Sequence, residues 1–181
     1  MSNVNAPERN AIELLKADHK AVKALFGRFE DTEDSNEKYS IIGEAIRELK
    51  IHVAIEEELF YPAIREEAGI DIMSEAEVEH HVARLLIAEL DAWGAEDDEE
   101  FRNARFKVLA ESVRHHIKEE EGQMFPRIKE SAVDLDALGA QLSERQTQLK
   151  NEGVPPDAEH ELISHAGSDE SESGLIPLLE L

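Results

Sequence analysis

Two segments of the chain repeat each other, and this repeat restricts the possible folds more than any other feature. His52–Pro62 and His116–Pro126 each place a histidine ten residues before a proline. When aligned, they give the motif His-x-x-x-Glu twice, as His52 with Glu56 and as His116 with Glu120. A spacing of four puts both side chains on one face of a helix, about 5 to 6 Å apart at their β-carbons. The repeat therefore predicts two helices that each present a His and a Glu able to share a metal ion.

The segments that precede the two motifs also match. Residues 18–26 resemble residues 79–87, and this alignment pairs His19 with His80. Both histidines lie on the apolar stripe of a helical pattern, so we expect them to point inward. A buried carboxylate costs several kcal/mol unless it is paired or bound to a cation. The inward-facing imidazoles and carboxylates therefore indicate a metal site.

Apolar residues recur at helical spacing in four long stretches, which predicts helices over about 7–30, 37–67, 74–93 and 99–125. Pro7 suits an opening turn, and Ser35 or Asn36 can cap the second helix. Ser74–Glu77 has the pattern of a capping box, and Pro62 is expected to kink or end the second helix. Because short connections favour antiparallel neighbours, the predicted fold class is all-α, with an up-down-up-down antiparallel four-helix bundle over residues 1–133.

Two shorter regions follow the predicted bundle. Residues 134–150 predict an accessory helix whose leucines face the bundle, at positions Leu135, Leu138, Leu142 and Leu149. Residues 151–181 contain eight acidic residues and no Lys or Arg, a composition typical of a disordered tail. The apolar end of this tail, Leu175–Leu181, is a candidate site for docking onto a protein partner.

Charge and composition exclude several classes of function. The net charge of -23 disfavours nucleic acid and anionic membrane surfaces as partners. The absence of cysteine excludes disulfides, thiolate nucleophiles and sulfur-ligated metals. No apolar run approaches the roughly 20 residues of a membrane span, and the N-terminus lacks the pattern of a signal peptide. We therefore expect a cytoplasmic protein whose metal chemistry uses His and carboxylate; the sequence does not predict its oligomeric state.

These motifs resemble those of hemerythrin-like proteins of the HHE cation-binding group, which place one His and then His-x-x-x-Glu, repeated, around a non-heme di-iron centre. The resemblance covers about residues 8–130. It implies two iron ions bridged by an oxo or hydroxo group, with Glu56 and Glu120 also bridging. It implies six metal ligands: His19, His52, Glu56, His80, His116 and Glu120.

The chain departs from the oxygen-carrying hemerythrins at one position. Those proteins have a second His four residues after the third-helix His, where this chain has Arg84. With six ligands, solvent or a bridging group would have to complete the metal shells. The missing imidazole argues against simple reversible oxygen carriage, because more open positions on iron favour peroxide chemistry, exchange or metal loss.

Several polar residues near the six ligands have alternative interpretations. His81 and His115 sit about 100° around the helix from the better candidates, so we expect them to face elsewhere. Glu57 and Glu121 either orient a ligand imidazole or belong to a solvated acidic face. We expect the aromatic side chains beside the motifs to pack at the bundle end, although Tyr61 could donate a hydrogen bond to a bound ligand. The tail histidines, His160 and His165, are expected to be idle or to form a weak metal site.

A donor set of His and carboxylate without thiolate favours iron, with manganese or zinc less favoured. A ferritin-like site needs Glu-x-x-His on two helices, and this chain offers only Glu77 with His80. The leading hypothesis is a di-iron protein that binds or senses O2, peroxide or NO. Two alternatives stay open: a module that buffers or senses iron and signals to a protein partner, and an enzyme that decomposes peroxide at the same centre.

Overall fold

The computed structural model describes residues 9–92, 94 and 98–169 of the 181-residue chain, with side chains as far as residue 163. Every regular element in these ranges is helical, which confirms the all-α prediction. The α-helices are α1 (Ala11–Asp31), α2 (Ser35–Ile55), α3 (Tyr61–Ala68), α4 (Ile70–Ala92), α5 (Glu99–Glu119), α6 (Phe125–Lys129), α7 (Leu135–Glu152) and α8 (Ala158–Asp169). None of these helices is both long and apolar enough to span a lipid bilayer.

Side-chain caps fix the starts of the first two helices. Asn10 accepts a hydrogen bond from the Glu13 backbone N–H, and the Glu13 carboxylate accepts one from the Asn10 N–H, which together form a capping box. Asp34 caps α2 by accepting from the Glu37 N–H. The prediction of Ser35 or Asn36 as this cap is therefore wrong by one or two residues, and Pro7 lies outside the described residues.

The predicted start of the third long helix is also wrong. The Ser74–Glu77 pattern lies inside α4, which begins at Ile70, directly after Gly69. Gly69 adopts a φ of 85°, a left-handed conformation that favours glycine and ends α3. A single glycine therefore separates the two helices, and no cap inside the apolar pattern is needed.

Two π-helical turns of five residues, Glu56–Phe60 and Glu120–Met124, join α2 to α3 and α5 to α6. Each begins at the glutamate of a His-x-x-x-Glu motif. Each closes with a hydrogen bond from the residue five positions later, so that the Tyr61 N–H donates to the Glu56 carbonyl and the Phe125 N–H to the Glu120 carbonyl. Pro62 lies in the first turn of α3, where a proline is tolerated. The expected kink or early end at Pro62 is thus replaced by a π turn and eight further helical residues.

The buried apolar residues form two clusters at opposite ends of the bundle. One cluster includes Leu15, Ile55 and Phe60, and the other includes Val22 and Leu49. Along α1 and α4 the buried histidine comes between the two clusters; His19, for example, lies between Leu15 and Val22. A polar layer therefore crosses the bundle at mid-height.

The two C-terminal helices cover the sides of the bundle. α7 packs against α1 and α2 with Leu138, Leu142 and Leu149 buried, as predicted, and with Leu135 half-buried. α8 packs against α4. The prediction of a disordered tail is wrong for residues 158–169, which form α8, while residues 170–181, including the apolar segment at Leu175–Leu181, lie outside the described residues.

Candidate metal centre

The polar layer contains the four histidines predicted from the sequence, one from each long helix. All are buried, with exposures of 1 to 6%: His19 from α1, His52 from α2, His80 from α4 and His116 from α5. Glu56 and Glu120, the first residues of the two π turns, are 0% and 1% exposed. The structure therefore brings all six predicted ligands into one interior.

Each carboxylate lies between imidazoles from different helices. Glu56 Oε2 is 3.3 Å from the Nε2 atoms of both His52 and His80. Glu120 Oε2 is 3.2 Å from His19 Nε2 and 3.6 Å from His116 Nε2. The side chains thus form two overlapping groups that share Glu56 and whose potential ligand atoms lie within 4.8 Å of one another: His19, His52, Glu56 and Glu120 in one, and Glu56, His80 and His116 in the other.

An acidic side chain faces the outer nitrogen of every one of these imidazoles. The Nδ1 atoms lie 2.8 to 3.8 Å from a carboxylate oxygen, in the pairs His19 with Glu121, His52 with Asp18, His80 with Glu57 and His116 with Glu79. At His19, His80 and His116 the carboxylate lies within 3.1 Å and holds the proton on Nδ1, which leaves the Nε2 lone pair free to bind a metal. At His52 the distance of 3.8 Å is too long for a hydrogen bond. Of the two interpretations of Glu57 and Glu121, the structure therefore favours the one in which they orient ligand imidazoles.

Several polar atoms at the centre lack a hydrogen-bond partner among the described residues. They are His19 Nε2, both ring nitrogens of His52, both carboxylate oxygens of Glu56 and Glu120 Oε2. In addition, the Nε2 atoms of His80 and His116 face each other at 3.1 Å, although an acid holds the outer nitrogen of each ring. Buried acceptors that converge without donors are costly, and cations would satisfy them. The donor set therefore fits metal ions.

The two buried carboxyls titrate differently. Burial and the charge of Glu120 raise the pKa of Glu56 to about 8. Burial would also raise the pKa of Glu120, but the imidazoles of His116 and His19 outweigh it and lower this pKa to about 2. Two carboxylates this close cannot both stay ionised in a buried interior without a cation, so Glu56 takes the proton in the metal-free protein.

Tyr61 also contributes its hydroxyl group to the polar layer. It is 2% exposed, and its hydroxyl donates to Glu120 Oε1 at 3.0 Å and lies 3.0 Å from His80 Nε2 and 3.4 Å from His116 Nε2. Of the two interpretations of Tyr61, the structure therefore favours the one in which its hydroxyl takes part in hydrogen bonding at the centre and not in packing alone. Phe125, its counterpart in the repeat, stacks on His19 with ring centroids 5.8 Å apart and has no hydroxyl.

Arg84 turns away from the centre. Its guanidinium donates to Glu57 and, at 3.2 Å, to Glu159 of α8. Glu159 also bonds His81 Nδ1 at 2.7 Å. Burial would raise the pKa of Glu159, but the hydrogen bonds from Arg84, its own backbone and His81 lower it to about 2. The residue at the position of the missing imidazole therefore links His80, through Glu57, to α8.

The remaining predicted positions lie outside the centre. The side chains of His81 and His115 are 62% and 58% exposed, so the prediction that they face elsewhere is confirmed. His160 contacts Asp157 at the start of α8 at 2.6 Å, and the side chain of His165 is outside the described part of the chain.

The sequence prediction missed Asp18 and Glu79, and it gave the hydroxyl of Tyr61 only as an alternative to packing. A signal for the two acids was present, because each directly precedes a buried histidine: Asp18 before His19 and Glu79 before His80. No comparable signal marked Tyr61. On a regular α-helix a residue five positions after Glu56 lies about 140° away, and the π turn brings it back to the same side.

The geometry agrees with comparisons to known proteins. An uncharacterized protein of Mycobacterium tuberculosis is 29% identical over 149 residues, which cover 78% of this chain and 88% of that protein. A crystal structure of a hemerythrin HHE cation-binding domain-containing protein from Mycobacterium kansasii, a homologue of that protein, has a TM-score of 0.63 at 27% identity and covers 80% of this chain and 94% of its own.

A DNA nickase of a Nostoc species is 26% identical over 122 residues, which make up 67% of this chain and only 34% of that relative. The chain thus spans about a third of the length of this relative. Residues 10–128 match the family model described as the hemerythrin HHE cation binding domain. The chain therefore belongs to the hemerythrin HHE cation-binding domain family.

Proposed function

We propose that the buried centre holds two iron ions and binds a small ligand such as O2, peroxide or NO. In this proposal the ligands lie on four long helices that run alternately up and down. His19 and His52 would hold one ion, His80 and His116 would hold the other, and Glu56 and Glu120 would supply carboxylate oxygens to the pair. When bound, iron supplies redox-active open positions for such ligands.

The observation that carries this proposal is that one half of the centre has a hydroxyl group beside its imidazoles, where the other half has a phenyl ring. The Tyr61 hydroxyl lies within 3.0 to 3.4 Å of His80 and His116, while the matching position beside His19 holds Phe125. A hydroxyl in a buried interior can donate a hydrogen bond to a small ligand, which strengthens in a site that excludes water. The side of His80 and His116 is therefore the proposed ligand-binding side.

The test combines metal analysis with spectroscopy of the purified protein. We expect about two iron ions per chain and a charge-transfer band on addition of azide. Tyr61→Phe should retain the iron but weaken azide binding by about tenfold, since a lost buried hydrogen bond is worth about 1 kcal/mol or more. The matched control is Tyr39→Phe, because Tyr39 is 40% exposed.

Two results would contradict the proposal: an iron content well below two per chain, or the absence of any charge-transfer band with azide, peroxide or NO. If azide binding is weakened equally in both tyrosine variants, the Tyr61 hydroxyl has no specific role in binding the ligand. Evolution of oxygen from peroxide that disappears in His52→Ala would extend the proposal to a peroxide-decomposing enzyme.

A second candidate function is iron sensing, favoured by the chain of contacts from the centre to α8. His80 bonds Glu57 at 3.1 Å, and Arg84 joins Glu57 to Glu159. In this proposal, metal occupancy changes the docking of α8 and presents the C-terminal residues to a protein partner. Limited proteolysis tests it: cleavage of α8 at the same rate with and without metal would exclude it.

We do not extend the activity of the Nostoc relative to this chain. The matched part is 34% of that protein, and the net charge of -23 opposes binding to a nucleic-acid backbone. We propose that this chain does not bind nucleic acid.

A further inference from the structure

A second cluster of possible metal ligands lies outside the buried centre. It joins Glu79 of α4 to His115 and Glu119 of α5, whose ligand atoms lie within 4.8 Å of one another. His115 Nε2 is 3.4 Å from Glu79 Oε1 and 3.7 Å from Glu119 Oε1. The side chains are 58%, 16% and 28% exposed for His115, Glu79 and Glu119, so the cluster opens to solvent.

This outer cluster has its own signature in the sequence. His115 and Glu119 have the same four-residue spacing as His116 and Glu120, shifted by one position. A shift of one residue rotates the pair by about 100° around the helix, onto the neighbouring face. α5 therefore carries two His-x-x-x-Glu pairs, one facing the interior and one facing outward.

A cleft connects the outer cluster to the buried centre. Its walls include Glu75, Glu79 and Glu119, and it reaches His116 and Glu120. Glu120 is 1% exposed, and its Oε2 has no hydrogen-bond partner in the described part of the chain. The cleft thus leads from partly exposed carboxylates to a buried one that keeps an oxygen without a hydrogen-bond partner among the described residues.

Glu79 contacts both the outer cluster and the buried centre. Its Oε1 faces His115, and its Oε2 bonds the outer nitrogen of His116 at 2.8 Å. Among the described residues, no Lys or Arg lines the cleft, so no side-chain ammonium or guanidinium group competes with a metal ion there. An acidic cleft in a protein with a net charge of -23 raises the local concentration of cations.

We infer that His115, Glu79 and Glu119 form an outer binding site for a divalent first-row metal ion, from which ions pass through the cleft to the buried centre. One imidazole and two carboxylates suit such ions, and partial exposure makes their binding weak and their exchange fast. The outer site is inferred from the distances within the cluster and does not depend on the proposed function. The transfer step rests on the proposed function.

The first experiment tests the site with Mn2+ alone. The full chain, loaded with iron and freed of excess, is titrated with Mn2+ while the free ion is followed by electron paramagnetic resonance. We expect the wild type to bind one more Mn2+ than His115→Ala or Glu119→Gln. The control is Glu144→Gln, which removes the same charge from an exposed position on α7. Equal Mn2+ binding by the wild type and both cluster variants would overturn the outer site.

The second experiment measures loading. Metal-free protein is mixed with limiting Fe2+ without oxygen, and the rise of the absorption of the loaded centre is timed. Loss of the outer site should slow loading by about tenfold or more, because focused charge accelerates ion capture. His115→Ala and Glu119→Gln should reach the wild-type final iron content, and Glu144→Gln should load at the wild-type rate. Circular dichroism checks that all variants keep their helices.

The outcomes separate the two proposals. If the wild type does not hold two iron ions at equilibrium, the proposed function fails, while the Mn2+ difference still decides the outer site. If the wild type holds two ions but the cluster variants load at its rate, the transfer step is wrong and the proposed function stands.

Discussion

At the scale of single residues, the centre places two carboxylates where only cations or a proton can stabilise them. Glu56 and Glu120 are both buried and both face imidazole nitrogens. Their pKa values separate, with Glu56 raised to about 8 and Glu120 lowered to about 2. A bound metal must therefore displace a proton from Glu56 at neutral pH, and metal affinity should increase as pH rises.

The raised pKa of Glu56 gives a prediction for the metal-free protein. Folded Glu56 keeps a proton that the unfolded chain releases above its ordinary pKa of 4.5. The stability that this proton provides is therefore present at low pH and lost as pH rises towards about 8. Glu56→Gln keeps the shape of the protonated group and cannot ionise, so its free energy of unfolding should escape this loss.

Urea denaturation with chelator checks this at two pH values. Relative to the wild type, Glu56→Gln should gain about 1 kcal/mol or more in unfolding free energy between about pH 5 and about pH 9. Glu144→Gln, at an exposed position, should show no such gain. A constant difference between Glu56→Gln and the wild type across this range would mean that Glu56 is ionised in the metal-free fold.

The convergence of the six candidate ligands could be predicted because their spacing repeats and because a helix with a period of 3.6 maps sequence spacing directly onto a face. Tyr61 could not be predicted in this way. Its position depends on a π turn, and a spacing argument based on 3.6 residues per turn does not include one. Glu79 could have been predicted from its symmetry with Asp18, since the two acids hold equivalent places in the repeat.

At the scale of helices, close approaches between elements decide which glycines can change. A β-carbon added at Gly139 of α7 would clash with the Arg9 carbonyl oxygen and would lie 2.7 Å from the Ala11 nitrogen. A β-carbon at Gly43 of α2 would meet nothing within 4 Å. Gly139 is therefore the point where α7 packs directly on the start of α1.

These two glycines form a matched pair of substitutions. Gly139→Ala should destabilise the fold by about 1 to 3 kcal/mol, because the start of α1 must shift. Gly43→Ala should stabilise it by about 0.5 to 1 kcal/mol, since alanine favours a helix and meets no neighbour. Thermal unfolding measures both changes. If Gly139→Ala leaves the stability unchanged, α7 does not pack closely on the start of α1 in solution.

Docking of α8 is predicted to depend on Arg84. This side chain bonds Glu159, and its loss would leave a buried carboxylate with only His81 and backbone partners. In Arg84→Ala, a glutamate-specific protease should cut within α8 about tenfold faster, since removing one partner of a buried charge costs more than 1 kcal/mol. The control is Arg28→Ala, which loses an exposed pair with Glu44. Equal cleavage in the two variants would refute the dependence.

Helix existence could be predicted from the sequence, but helix ends could not. The start of α4 was misplaced because Ser74 and Glu77 carry a capping pattern that the helix does not use once Gly69 supplies the break. Composition predicts a disordered tail over the residues of α8 because it cannot reveal ion pairs with a distant helix, such as those of Glu159 with Arg84 and His81. Tertiary contact outweighs local preference in both cases.

At the scale of the whole molecule, the polar layer lies between two apolar clusters. Metal ions bound in this layer would hold the four long helices together, so we expect them to stabilise the fold. Calorimetry should show a higher melting temperature for iron-loaded protein than for chelator-treated protein. A ligand held at a thousandfold excess over its Kd adds about 4 kcal/mol to the unfolding free energy. Glu144→Gln should show the same rise, and no rise in the wild type would argue against tight metal binding.

Two of the acids that face the Nδ1 atoms of the buried imidazoles connect one half of the chain to the other. Glu121 of the second half orients His19 of the first, and Glu57 of the first half orients His80 of the second. A fragment ending at Gly69 and a fragment beginning at Ile70 would each carry an imidazole whose orienting acid is on the other piece. Mixed together, such fragments should complement each other and recover a metal-binding molecule that neither makes alone.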